Sequence, residues 1–119
     1  VVPDAGEGNL NLNVSVAEAL PMLEAGAVLL DVRELVEWSA GHDRVAVHMQ
    51  MDRVPVEHGQ LDSNRPVLVI CRSGHRSLTG AAQLRQAGFS AVSVDGGMVA
   101  WQQAGRSVVT ESGDPGTII

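Results

Sequence analysis

The chain has 119 residues, enough for one ordinary domain and too few for two. An apolar share of 45% and a formal charge of −6 suit a soluble domain with its own core, and they argue against a polybasic nucleic-acid or membrane surface. Only Trp38, Phe89 and Trp101 are aromatic, which disfavours base stacking on an aromatic sheet and leaves Val, Leu and Ala to fill the core.

That charge is unevenly placed. Residues 63–94 contain no acid and four arginines, Arg65, Arg72, Arg76 and Arg85, while the remainder carries all 14 acids at a balance of −10. The one cysteine, Cys71, falls in the acid-free stretch. A lone thiol excludes an intrachain disulfide and a cysteine-rich zinc site, and it fits a reducing, cytoplasmic setting. There is no charged stretch leading into an apolar leader and no apolar run near 18 residues. The chain opens on Val rather than Met, as a processed or trimmed product does, which leaves room for a leader or a further domain upstream.

Residues 1–12, with Pro3, Gly6, Gly8 and Asn9, read as a loose lead-in. Ser15 with Glu18 makes a capping box, and Val16, Ala19, Leu20 and Leu23 follow at helical spacing up to Gly26. Pro21 inside that helix predicts a kink or a restart. The run 27–32 is continuously apolar apart from Asp31, as a strand buried on both faces requires. Residues 34–40 form a short helix closed by Gly41, and 45–49 a short strand. The clearest buried strand is 66–70, which runs directly into Cys71. A helix over 77–87 stops at Gly88; a strand over 91–94, Asp95-Gly96-Gly97 and a last helix over 98–103 complete the body. Residues 110–119, rich in Gly, Asp and Pro, read as a loose tail. Alternating strands and helices predict a three-layer α/β domain over 13–108, its mostly parallel central sheet flanked by helices, with a tail over 109–119. Such sheets bind ligands at the carboxyl ends of their strands, where Cys71 lies.

The informative segment is Cys71-Arg72-Ser73-Gly74-His75-Arg76-Ser77. A strand, a Gly/Ser turn and a helix start in succession can aim several backbone N–H groups inward as an anion nest, to which the helix dipole adds. Arg72 and Arg76 add positive potential. Together these favour a thiolate, a nucleophilic sulfur with a depressed pKa, and a cradle for an anionic substrate or a persulfide. The plain alternative is a buried core cysteine, but a core position does not need this loop.

Three blocks, in order, resemble the rhodanese-like family across about 14–108: Leu30-Asp31-Val32-Arg33-Glu34 with Trp38 and Gly41-His42; the loop Cys71 to Ser77; and Gly96-Gly97 with Trp101. The resemblance implies the rhodanese-like fold and a double displacement on Cys71, thiosulfate being the model donor. It implies a small anionic sulfur donor, a thiol or cyanide acceptor or a protein acceptor, and neither metal, organic cofactor, nucleic acid nor membrane as partner. The substrate-binding residues it points to are Arg72, Ser73, Gly74, His75, Arg76 and Ser77, with Asp31, Arg33 and His42 in support. Two further readings are a persulfide relay serving a protein partner and a cysteine-dependent phosphatase or arsenate reductase. The latter group generally has one more residue between Cys and Arg than the four between Cys71 and Arg76.

Where the family usually continues Gly-His-Ile-Pro-Gly-Ala, this chain reads Gly41-His42-Asp43-Arg44-Val45-Ala46, which implies a different rim. His42 is expected to fix its loop by hydrogen bonding, and Asp31 to hold loops together. Arg76 either binds substrate or, as favoured, turns inward onto Asp31 or Glu34. Trp38 and Trp101 are expected to be packing residues. His42, His48, His58 and His75 share no ligand spacing for a metal. The charge split is read as serving to keep Cys71 anionic and draw small anions to it, the acidic remainder keeping the chain soluble.

Overall fold

A computed structural model describes residues 12–119, and the lead-in expected over 1–12 lies outside them except for Leu12. The elements are β1 (Asn13–Val14), α1 (Val16–Glu24), β2 (Val28–Asp31), α2 (Leu35–Ala40), β3 (Val47–His48), α3 (Val54–Glu57), β4 (Val67–Ile70), α4 (Arg76–Gln86), β5 (Ala91–Val94) and α5 (Gly97–Gln103), with single 3-10 turns at Met51–Arg53 and His58–Gln60. The sheet runs β1-β5-β4-β2-β3, and each of its four pairings is parallel. β4 is therefore central.

Helices on both faces explain the unbroken apolar strands. Leu30, Val67 and Val69 point to one face, where α4 contributes Ala81 and Leu84 and α3 contributes Val54. Leu29, Leu68 and Ile70 point to the other, against Ala19 of α1 and Met98 and Trp101 of α5. Each fully buried Leu or Ile contributes about 2 kcal/mol through removal from water, so the sheet is stabilised from both sides. The three-layer α/β expectation describes this architecture.

α1 is capped as expected: Glu18 N–H donates to Ser15 Oγ at 3.1 Å, and Ser15 N–H to Glu18 Oε1 at 2.8 Å. The helix does not restart at Pro21. The proline cannot donate to the Ala17 carbonyl, but both residues lie on the exposed face, so the carbonyl is not left unpaired in the core. β1 and the turns over 51–60 are not legible in the sequence pattern. β1 is only two residues long and owes its existence to the β5 edge beside it.

The tail is not loose. Val109 makes antiparallel bridges with His42 and Pro115, Gly116 N–H donates to Val108 O at 2.9 Å, and Thr117 N–H to Ala40 O at 2.9 Å. Glycine at 116 serves contact rather than flexibility: a Cβ there would lie 2.7 Å from the Ala40 carbonyl oxygen and 2.8 Å from Gly41 Cα.

The departure at Asp43 has a structural purpose. Its carboxylate is buried and accepts from Trp101 Nε1 at 2.7 Å and Arg106 Nε at 3.0 Å. Trp101 is thus both packed and hydrogen-bonded. Trp38 likewise packs and donates to Glu111 Oε2 at 3.2 Å, with the His42 and His48 rings stacked on its indole at centroid distances of 3.6 and 4.7 Å. Truncating Asp43 to alanine leaves a buried indole N–H without an acceptor. The expected cost in urea unfolding is about 2–3 kcal/mol, whereas Arg44→Ala, at an exposed position, changes stability by less than about 0.5 kcal/mol.

Candidate active site

Cys71 follows the last residue of β4 at the carboxyl end of the sheet, with its side chain on the α4 face and 1% exposed. The chain then turns through Gly74, whose φ of +109° favours glycine, and enters α4 at Arg76. This turn brings Gly74 N–H to 3.2 Å and Ser77 N–H to 3.4 Å from Cys71 Sγ. Ser77 Oγ lies 3.3 Å from the sulfur and 2.7 Å from Ser93 Oγ on β5.

The loop is held from behind by α5. Met98 N–H donates to the Cys71 carbonyl at 2.8 Å and Val99 N–H to the Arg72 carbonyl at 3.1 Å. So close an approach explains the double glycine: at Gly97, with φ +58°, any Cβ would collide with the carbonyl oxygens of Cys71 and Arg72. Gly74 is confined less severely, its Cβ coming to 3.2 Å from the Gly96 nitrogen. The two glycine motifs, distant in sequence, are the two sides of one backbone contact.

Burial alone would push the Cys71 thiol up. The Ser77 hydroxyl and the N–H groups of Ser77, Gly74 and Ser73 outweigh it and hold the group below its ordinary value. The arginines contribute less than expected. Arg65 Nε donates to the Gly26 carbonyl and Arg85 Nε to the Ala91 carbonyl, so two of the four cations tie backbone segments rather than serve the sulfur. Arg72 is exposed, with Nε donating to the Ile119 carbonyl at 2.8 Å.

Arg76 turns to neither of its expected partners. Its guanidinium grips Glu37 in a fork, Nη1 to Oε1 at 2.7 Å and Nη2 to Oε2 at 2.8 Å. Asp31 is taken by the fully buried Arg33, at 2.8 Å from Nη2, and Arg33 Nη2 also donates to the Gly41 carbonyl at 2.7 Å. Asp31 and Arg33 therefore join the end of β2 to the end of α2. His42 ties the same segment through Nδ1, 2.7 Å from the Trp38 carbonyl, and through its N–H to Val109 O. Ser73 and His75 are exposed on the rim with Arg72.

Two residues escaped the sequence reading. Glu37 accepts from Glu34 N–H at 3.0 Å besides gripping Arg76, so it caps α2 and braces the loop at once; the E-x-x-E spacing was its one signal. Ser93 gave none, because only the register of β5 against β4 places it behind the loop.

A groove of about 710 Å³ between Leu20, Leu23, Val28, Val47 and Leu61 lies at the amino ends of the strands, the opposite end of the sheet from Cys71.

The Arg76 guanidinium, against a smaller opposing effect of burial, lowers the Glu37 carboxyl from 4.5 to about 2. A depressed carboxyl stabilises the fold above its ordinary value and loses that contribution as pH falls through the depressed one. Glu37→Gln is expected to lower unfolding stability at pH 7 by about 1 kcal/mol, a figure discounted for the partial exposure of Arg76. The gap to the native protein in urea midpoints should narrow as pH is lowered from 4.5 toward 2; a gap independent of pH would show that the ion pair contributes nothing.

Comparison with known proteins agrees with this geometry. The profile of the rhodanese-like domain matches residues 15–104. The chain is 37% identical over 90 residues to the thiosulfate sulfurtransferase GlpE of Pseudomonas entomophila, covering 75% of this chain and 83% of that one. It is 32% identical over 87 residues to a sulfurtransferase of Allochromatium vinosum, covering 72% and 81%. The crystal structure of a rhodanese-related protein from Thermoplasma volcanium superposes with a TM-score of 0.76 at 28% identity, over 83% of this chain and 98% of the other. A parallel sheet that delivers one cysteine into a ring of amides, in a chain that matches this profile over most of its length, places it in the rhodanese-like domain family, whose chemistry is of the sulfurtransferase type.

Proposed function

We propose that the protein is a thiosulfate sulfurtransferase that carries sulfane sulfur as a persulfide on Cys71. The observation that supports this most is the ring of donors around Cys71 Sγ, three amides and one hydroxyl, with no carboxylate in the loop. In the first displacement the Cys71 thiolate attacks the outer sulfur of thiosulfate. The S–S bond of the donor breaks, sulfite leaves with the bonding pair, and Cys71 holds a persulfide anion. In the second, an acceptor nucleophile attacks the outer persulfide sulfur and the thiolate returns. Charge and electrons balance in both, and neither displacement calls for a metal or an organic cofactor.

In this scheme Arg72 and His75, exposed at the rim, meet the anionic donor. The N–H groups of Ser73, Gly74 and Ser77 hold the sulfur anion. Arg76, whose guanidinium is committed to Glu37, serves the substrate site by bracing the loop against α2. Asp31, Arg33 and His42 keep the neighbouring segments in place.

The commitment of Arg76 to Glu37 also counts against a phosphatase or arsenate reductase, in which a free guanidinium would face the oxyanion. The exposure of Arg72, Ser73 and His75 gives the relay reading its support, since a protein acceptor could reach the loop.

The test is thiocyanate formation from thiosulfate and cyanide. Cys71→Ser is expected to reduce the rate by about a hundredfold or more, to the uncatalysed background. A native protein no faster than Cys71→Ser overturns the enzymatic reading. Weak turnover together with an intact-mass gain of one sulfur on Cys71, after exposure to thiosulfate, assigns the relay role instead.

A further inference from the structure

Ser77 Oγ sits between two atoms that both compete for its single proton. Cys71 Sγ is 3.3 Å away and Ser93 Oγ 2.7 Å away, and both serines are fully buried. A hydroxyl has one donor and two acceptor lone pairs, so the direction of each bond in this row follows from proton counting. When the sulfur is a thiol, its S–H can donate to Ser77, and Ser77 can then donate to Ser93. When the sulfur is an anion it has no proton to give, so the Ser77 proton must turn toward it. Ser77 then needs a donor on its other side, and Ser93 is the group in position to supply one. No water from bulk solvent reaches either hydroxyl.

We propose that Ser93 is a positioning residue: its hydroxyl donates to Ser77 Oγ and so fixes the Ser77 proton on the sulfur anion of Cys71. This rests on the sulfurtransferase reading for its purpose, but not for its geometry. The backbone supports the placement. Ser93 lies on β5 opposite Val69 of β4, two residues before Cys71, and its N–H donates to the Leu12 carbonyl of the β1 edge, so the strand cannot slide the hydroxyl away.

The row also changes during turnover. Persulfide formation moves the negative charge from Sγ to the outer sulfur, leaving Sγ a neutral, weaker acceptor. The Ser77 hydroxyl then turns back to donate to Ser93 Oγ, and the amides of the loop are the donors left for the outer sulfur. The Ser77 and Ser93 hydroxyls thus exchange donor and acceptor roles once in each half-reaction, with no net proton transfer.

Alkylation of Cys71 by iodoacetamide, followed by mass spectrometry as a function of pH, tests this without any sulfur donor. Ser93→Ala is expected to slow alkylation at neutral pH about threefold or more and to move the midpoint of the pH profile upward, leaving the rate at the alkaline plateau within about twofold of native. Ser93→Thr, which retains the hydroxyl, should keep the native midpoint. On a Ser77→Ala background, Ser93→Ala should shift the midpoint no further, because its action passes through Ser77. Should the alanine variant not fold, the Thr/Val pair at position 93 makes the same comparison with one more methyl on each side. An unmoved midpoint in the hydroxyl-free variants, or an equal shift on both backgrounds, overturns the proposal. These outcomes are independent of thiocyanate formation, so failure of the sulfurtransferase reading would leave them interpretable.

Discussion

A sulfur anion at the end of a buried strand is tolerable only where N–H and O–H groups replace the water it has lost. In this protein that replacement is made mostly by backbone. Gly74, Ser77 and Ser73 supply amides because the chain turns sharply after β4, and the turn keeps its shape because α5 begins directly behind it. Amides cost no side-chain entropy to hold and do not titrate, so they make a more constant environment than the arginines whose charge first drew attention to the segment. The rest of the fold serves this contact. The two-sided burial of β4 fixes where the loop starts, and the return through α4 and β5 brings Gly96 and Gly97 back against it.

The braces outside the loop share a pattern. Each joins an element end to a neighbour through a buried or half-buried charged group: Arg33 to Asp31 and Gly41, Arg76 to Glu37, Arg106 to Asp43. Measured against apolar replacements such pairs add little net stability, because desolvation offsets most of their attraction, but removing one partner alone is costly. What they do in this fold is fix which element ends meet.

Much of this was open to reading from the residues. The apolar runs at 27–32, broken only by Asp31, and 66–70 have the form of strands covered on both faces, and β4 and β5 fall within a residue of their expected bounds. Local signals, such as Ser15 with Glu18, survive because a capping box needs no partner from elsewhere. What could not be read depends on distant segments meeting. The Glu37 partnership of Arg76 follows from Arg33 having already taken Asp31, which no spacing reveals. The tail looked loose because glycine marks flexibility and close backbone contact with the same letter. Asp43 looked like a lost family residue until Trp101 and Arg106, about sixty positions onward, stood beside it.

The contact between Gly97 and the Cys71–Arg72 carbonyls also sets an order of events as the chain is made. The cysteine and its nearest donors emerge from the ribosome some twenty residues before Gly96 to Val99, the segment that gives their loop its shape. The amides that surround the sulfur are therefore aimed by a segment made later than they are, and the site is complete only when α5 has packed behind the loop.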